Sequence, residues 1–215
     1  NEYERLQFRF GGQQAESDAN AAFFLFAFIV GIFLMSILLM IQLNSFYQVF
    51  IIVSAVILST AGVQLGYLVT QQISSALFTS LGVIALAGIV VNNNIVLVDT
   101  YNVISRENPN LSRDQIVVRT AAQRLRPIIL TTATTVIGLL PLASGIGVDF
   151  YQRNVEIGGR VSEWWQPMSF AVVCGLTFAS AITLFLTPCW LMLPVAIRET
   201  FSNIKKTFLK TASER

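Results

Sequence analysis

Histidine is absent from the sequence and cysteine occurs only twice, which removes most of the usual metal-binding chemistry. Without histidine the chain lacks both the commonest metal ligand and the side chain that titrates most readily near neutral pH. Cys174 and Cys189 fall in one apolar segment, about 22 Å apart along a helix. They cannot pair while that helix is intact. We therefore expect no metal, haem or other cofactor.

Charged residues are also scarce, and their placement is more informative than their number. They make up 12% of the chain against 54% apolar residues, about half of the charged fraction of a soluble domain. No charged residue occurs in residues 19–98, 127–148 or 164–197. The alternative, a large helical core in a soluble protein, conflicts with this lack of charged outer faces.

These uncharged stretches predict an all-α membrane protein with five transmembrane helices. A helix needs about 20 apolar residues to cross a bilayer, so the first stretch holds three crossings and the other two hold one each. Polar, turn-forming residues at 42–45 and 70–75 divide the first stretch. The predicted spans are residues 20–43, 48–70, 78–100, 127–146 and 167–196.

Lysine and arginine accumulate on one side of these spans. Five crossings place the two termini on opposite sides of the membrane. One side carries Arg106, Arg113, Arg119, Arg124, Arg126, Arg198, Lys205, Lys206, Lys210 and Arg215, and the other carries Arg5, Arg9, Arg153 and Arg160. Because cytoplasmic loops are enriched in Lys and Arg, the C-terminus is predicted to be cytoplasmic. The net charge of +2 thus reflects topology, and no nucleic-acid partner is expected.

Three segments outside the spans carry local patterns. Alternating apolar residues at 6–10 predict a strand, and since one strand is not stable alone, we expect the chain to belong to a larger protein. Ser112 and Gln115 form a capping-box pattern. It predicts a short amphipathic helix on the membrane surface, with Pro127 starting the fourth span. Residues 155–161 are consistent with a hairpin that turns at Gly158 and Gly159.

Two spans carry polar residues on one helical face. In the third span Ala85, Gly88, Asn92 and Asp99 share a face, and Asn92 is the best candidate to point into the bundle. In the fourth span the face consists of Arg124, Ile128, Thr131, Thr135, Gly138 and Leu142. Two readings remain open: hydrogen bonds that join helices, or the handling of ions or protons. Neither face has a carboxylate at mid-depth, so a proton-carrying acid would lie elsewhere.

Two segments carry a resemblance to a known family: LGVIALAGIVVNNNIVLVDTYN and AAQRLRPIILTTATTVIGLLPLA. They resemble paired signatures of RND-superfamily efflux permeases of the hydrophobe/amphiphile type, and RFGG, LNSF and TLFLTPCW extend the match. The resemblance implies a twelve-helix transporter with two periplasmic porter domains, of which this chain is helices eight to twelve. Residues 1–18 would then end the second porter domain, 19–198 form the helix bundle, and 199–215 form a basic cytoplasmic tail.

The resemblance further implies a proton-coupled permease of the bacterial inner membrane that exports amphiphilic compounds and uses the proton gradient as its energy source. It implies a homotrimer working with a periplasmic adaptor and an outer-membrane channel. The family's relay arginine and threonine fall on Arg124 and Thr131, whereas its relay lysine falls on Asn92. With Asp99 these are the candidate proton-relay residues. Asn92 is a departure, because an amide cannot supply the positive charge of the lysine.

Two alternatives to an efflux permease remain. One is a stand-alone membrane scaffold or assembly subunit, and the other is an RND relative that handles lipids or proteins. An intramembrane enzyme is not expected, because no nucleophile and base are suitably placed in the sequence.

Overall fold

The computed structural model describes residues 13–72, 75–149 and 154–213, and within them five long helices account for nearly all of the chain. The helices are α1 (Gln13–Leu43), α2 (Phe46–Thr70), α3 (Ala76–Glu107), α4 (Arg113–Ala143) and α5 (Arg160–Ser213), and the strands are β1 (Ile146–Asp149) and β2 (Asn154–Ile157). All five helices contain a stretch long and apolar enough to cross a membrane. The predicted all-α fold with five spans is therefore confirmed. The strand predicted at 6–10 lies outside the described residues.

Helix α5 is the centre of the bundle and packs against α2, α3 and α4. Glycine permits close contacts at these crossings. A Cβ atom at Gly175 would lie 2.2 Å from Cδ2 of Leu86 and 2.7 Å from Cγ2 of Val63, so a larger residue at this position would have to displace these two side chains. Small residues at such crossings increase the dispersion contact between membrane helices. Helix α1 lies at the periphery, and of its described side chains only Leu39 is buried.

Aromatic side chains lie near both ends of the long apolar part of α5. Phe78, at the start of α3, lies 6.4 Å and 6.1 Å from the ring centroids of Trp164 and Trp165. Near the other end Trp190 stacks on Phe50 of α2, with centroids 5.4 Å apart. Aromatic rings favour the two membrane–water interfaces. The two clusters thus agree with a bundle that crosses a bilayer between them.

Helix α4 is longer than predicted because it runs without interruption through Pro127. The predicted capping box is confirmed: the Gln115 amide donates to Ser112 Oγ, and the Ser112 amide donates to Gln115 Oε1. The prediction of a separate surface helix is wrong, because α4 is continuous from Arg113 to Ala143. One proline removes a single intrahelical hydrogen bond. Val117 before it and Ile128 after it belong to the same buried cluster, and this packing keeps the two halves continuous.

The extramembrane hairpin also differs from its predicted position. Strand β1 pairs antiparallel with β2, with Ile146 opposite Ile157. Gly158 therefore follows the hairpin and does not form its turn. Its φ of 84° is accessible to glycine at little cost, and its amide donates to the carbonyl of Gly145 at 3.0 Å. Helix α5 begins two residues later, which leaves no room for a second strand after Gly158.

Candidate functional site

Helices α3 and α4 form the antiparallel pair that carries all four candidate relay residues. A short turn after Glu107 joins them, and the Ser112 capping box fixes the start of α4. The two helices are linked by the side chain of Arg124, whose Nε–H donates to Oγ1 of Thr100 at 2.5 Å. Thr100 is buried, at 6% exposure, while Arg124 is half-buried. The Nε atom of Arg124 is therefore held against a buried side chain of α3.

The α3 side of the site is exposed. Asn92 and Asp99 lie seven residues apart on one face, and both are exposed in the described bundle. Gly88 lies on the same face, and a Cβ atom added there would contact nothing within 4 Å. The expectation that Asn92 points into the bundle is therefore wrong for the described residues. Asn94 occupies the interior instead, and residues two apart on a helix point in nearly opposite directions.

The α4 side of the site is exposed in the same way. Thr131 lies seven residues beyond Arg124, and its hydroxyl donates to the carbonyl of Ile128 at 3.0 Å. The Thr135 hydroxyl donates to the carbonyl of Thr131 at 2.8 Å. Both hydroxyl protons thus bond to the threonines' own helix, and in the described structure neither joins α4 to another helix. A Cβ atom at Gly138, one turn further, would also meet open space.

The pairing of Arg124 with Thr100 sets the relative depth of the other candidates. At about 1.5 Å per residue, Thr131 lies about 10 Å further from the connecting turn than Arg124. The same displacement along antiparallel α3 leads from Thr100 to Asn93, beside Asn92. Asn92 and Thr131 thus share one depth, and Asp99 and Arg124 share another. These four residues lie on two helices that pack against each other, with Asn92, Asp99 and Thr131 exposed and Arg124 half-buried, and we call the set the polar strip.

The polar strip combines the positive charge of Arg124, the acidic side chain of Asp99 and the neutral hydrogen-bonding groups of Asn92 and Thr131. Arginine remains protonated in proteins and offers five N–H donors in a planar fork. Asn92 can donate or accept hydrogen bonds but carries no charge. Polar and charged groups are costly in hydrocarbon unless another protein surface or water covers them. No group of three or more His, Cys, Asp or Glu that could bind a metal ion occurs within the described part of the chain.

A second polar cluster, inside the bundle, was not identified from the sequence. Asn94 is fully buried, and its amide donates to the Val90 carbonyl at 2.9 Å and to Thr183 Oγ1 at 3.3 Å. Its Oδ1 atom accepts from Thr187 at 3.0 Å. The spacing of Thr183 and Thr187, four residues apart on α5, was the available signal, because it places two hydroxyls on one helical face.

Five helices that can cross a bilayer, with one polar face left uncovered, define a polytopic helical membrane protein. The chain belongs to the AcrB/AcrD/AcrF family, whose sequence profile matches residues 4–194. The match confirms the resemblance to RND efflux permeases. Family membership and the five apolar helices together indicate a multi-pass protein of the inner membrane.

Individual relatives are similar over most of this chain but over little of their own length. The multidrug resistance protein MdtC of Citrobacter koseri is 32% identical over 149 residues, which is 68% of this chain and 13% of that protein. MdtC of Escherichia coli strain UTI89 is 32% identical over 152 residues, again 13% of its length. A crystal structure of a heavy metal efflux pump superposes with a TM-score of 0.60 and 29% identity, covering 75% of this chain and 15% of the pump.

Proposed function

We propose that this chain is the C-terminal membrane part of a proton-coupled inner-membrane efflux permease that exchanges protons for amphiphilic drugs or similar compounds. The observation that carries the proposal is the polar strip itself. It places Arg124, half-buried, together with the exposed residues Thr131, Asn92 and Asp99 on two neighbouring membrane helices. A stand-alone scaffold would expose this face to lipid at a considerable energetic cost. A transporter would instead cover it with a further membrane segment.

The chemistry of the strip suggests how it would couple to protons. A carboxylate on the covering segment would be attracted to the Arg124 guanidinium when ionised. Protonation would neutralise the acid and remove that attraction. The covering segment and the α3–α4 pair would then favour a different relative position, and proton uptake and release would alternate between the two arrangements. Such a switch requires a differential interaction between the two protonation states, which a fixed cation provides.

Because Asn92 is neutral, Arg124 would be the residue of the polar strip that carries a positive charge. Where the family pattern has a lysine, this chain has a group that can only share hydrogen bonds. Arg124 would therefore supply the positive charge at the strip. Thr131 and Asn92 would contribute neutral hydrogen-bonding groups about 10 Å deeper in the membrane. Asp99 lies at the depth of Arg124 and would limit how strongly an incoming acid is held.

The names of the relatives support two candidate substrate classes. The MdtC proteins are named for multidrug resistance, which favours organic amphiphiles. The structural match to a heavy metal efflux pump supports metal-ion export as a second candidate. In either case we propose a homotrimer with a periplasmic adaptor, an outer-membrane channel and a cytoplasmic C-terminus, the orientation that the distribution of Lys and Arg favours.

The test is a comparison of Arg124→Ala and Arg119→Ala in the complete permease, expressed in a strain that lacks its own efflux pumps. Arg119 is an exposed arginine of the same helix but lies away from the polar strip. We expect Arg119→Ala to confer wild-type resistance and Arg124→Ala to confer none at equal membrane levels. Growth of the same strains on plates with amphiphilic dyes and on plates with metal salts identifies the substrate class. Full resistance in the Arg124→Ala strain would exclude the proposed role of the strip.

A further inference from the structure

The contact between Thr100 and Arg124 extends the proposed proton-coupling site to a residue outside the four candidates. We propose that Thr100 is a positioning residue that anchors the Arg124 guanidinium, so that its two terminal nitrogens face the polar strip. The inference rests on the proposed function for its role in transport, but the anchoring itself can be measured independently. Thr100 would touch neither proton nor substrate and would act only through Arg124.

The hydrogen-bond inventory of Thr100 fixes the direction of this contact. A threonine hydroxyl has one proton to donate, and Thr100 donates it to the Val96 carbonyl at 2.7 Å. Its oxygen is therefore an acceptor toward α4, where the Nε–H of Arg124 donates at 2.5 Å. Because Thr100 is only 6% exposed, water competes little for the same oxygen.

Anchoring at Nε leaves the other four N–H groups of the guanidinium free to bind an acid. The guanidinium is planar, so fixing Nε fixes the plane in which the four remaining N–H groups lie. These groups are the ones that can form two parallel hydrogen bonds to a carboxylate. A free arginine samples many rotamers and would lose that freedom each time an acid approached. An anchored arginine is organised before the acid arrives.

The absence of the lysine makes this anchoring more important here. With Asn92 neutral, a displaced Arg124 would leave the strip without a fixed positive charge at the proper depth. A cation beside an acid lowers the pKa of that acid. Releasing Arg124 would therefore raise the pKa of the acid on the covering segment, and transport would respond to pH over a higher range.

A purely structural role is the competing explanation, because threonines in membrane helices commonly bond the carbonyl four residues earlier. Thr120 provides the matched control for this explanation. It is buried at 1% exposure on α4, and its hydroxyl donates to the Ile116 carbonyl at 2.8 Å, which repeats the Thr100 bond without an arginine. A structural role predicts similar effects at the two positions, whereas anchoring predicts an effect on Arg124 only at Thr100.

The first measurement is hydrogen exchange of the Arg124 Nε–H group by NMR, with arginine-labelled protein in lipid nanodiscs and the resonance assigned through Arg124→Lys. We expect Thr100→Val to accelerate exchange about tenfold or more, the effect of losing one hydrogen bond to a charged group. Thr100→Ser should remain close to wild type, and Thr120→Val should have no effect. Thr100→Ala serves as a second variant where Thr100→Val fails to insert.

The second measurement is dye efflux by the complete permease as a function of pH. We expect Thr100→Val to reduce efflux about tenfold and to move the pH profile upward, with Thr100→Ser restoring both. Unchanged exchange in Thr100→Val and Thr100→Ala would overturn the anchoring. Faster exchange with an unshifted pH profile would overturn its role in transport. Efflux independent of the proton gradient in the wild type would instead contradict the proposed function and leave the anchoring standing.

Discussion

Thr187 on α5 donates a hydrogen bond of 3.0 Å to Oδ1 of Asn94 on α3, and both side chains are almost completely buried. Thr183, one turn earlier on α5, accepts from the amide of the same asparagine. One side chain of α3 is thus held by two hydroxyls of the central helix. Because the α3 backbone also carries Asn92 and Asp99, this contact fixes which face of α3 is left for the polar strip.

We predict that Asn94→Ala destabilises the chain by about 1 kcal/mol in detergent, because each of two lost hydrogen bonds between membrane helices contributes roughly 0.6 kcal/mol. Loss of the amide removes two interhelical hydrogen bonds and leaves a small cavity. The measurement is thermal or denaturant unfolding followed by tryptophan fluorescence. Asn93→Ala is the control, since Asn93 lies beside the cluster and outside it. Equal losses for the two variants would contradict a specific contribution of Asn94.

A larger effect is expected at Gly175, where side chains of α2 and α3 leave no space for a Cβ atom. The Cβ atom of Gly175→Ala would lie within 2.7 Å of side-chain atoms of Leu86 and Val63, both fully buried. Overpacking of this kind costs about 1–3 kcal/mol. Gly31→Ala on peripheral α1 is the control, because a Cβ there meets nothing within 4 Å and alanine favours the helix by about 1 kcal/mol. A Gly175→Ala melting temperature at or above wild type would show that the Leu86 and Val63 side chains move aside at little cost.

The five helices could be predicted because uncharged stretches and crossing lengths report directly on burial in lipid. The sequence could not predict which face of each helix packs against a neighbour. Asn92, Asn93 and Asn94 are chemically identical, and only packing against Thr183 and Thr187 decides that Asn94 is the buried one. Sequence periodicity shows which residues share a face but not which face meets a neighbour.

The connections were predicted less well, for a related reason. Pro127 is a plausible first residue of a helix, and local rules cannot show that Val117 and Ile128 belong to one buried cluster on both sides of it. Gly158 is likewise a residue type common in turns, but the pairing of β1 with β2 places it after the hairpin and not at its turn. The Thr100 contact was missed because it joins two helices and leaves no local pattern.

The continuity of α4 can be tested by a distance measurement in a cysteine-free background. Spin labels at Val118→Cys and Ile137→Cys, both strongly exposed sites, should lie about 29 Å apart in one straight helix. A surface helix bent near 90° at Pro127 would bring the same labels to about 20 Å. Double electron–electron resonance in nanodiscs separates the two. The control is Val118→Cys alone, which should give no intramolecular distance.

Two glycines that share helical faces with the polar strip lead to the last prediction. Gly88 and Gly138 have open space around them in this chain, so Gly138→Leu should leave the stability of the isolated chain unchanged or slightly increased, because leucine favours the helix. In the complete permease the proposed covering segment would occupy that space, and the added side chain would hold it away from α4. We therefore expect Gly138→Leu to abolish efflux while the protein still reaches the membrane.

The control for that prediction is Gly31→Leu on α1, where the open space would face lipid in both forms of the protein. It should be neutral in the isolated chain and in the complete permease alike. The informative result is the contrast between the two glycines, since a membrane-facing site tolerates leucine and a protein-facing site does not. If Gly138→Leu supports normal efflux, no segment packs closely on α4 at the depth of Gly138, about 21 Å from Arg124 along the helix, and the proposed covering of this face is wrong at that depth.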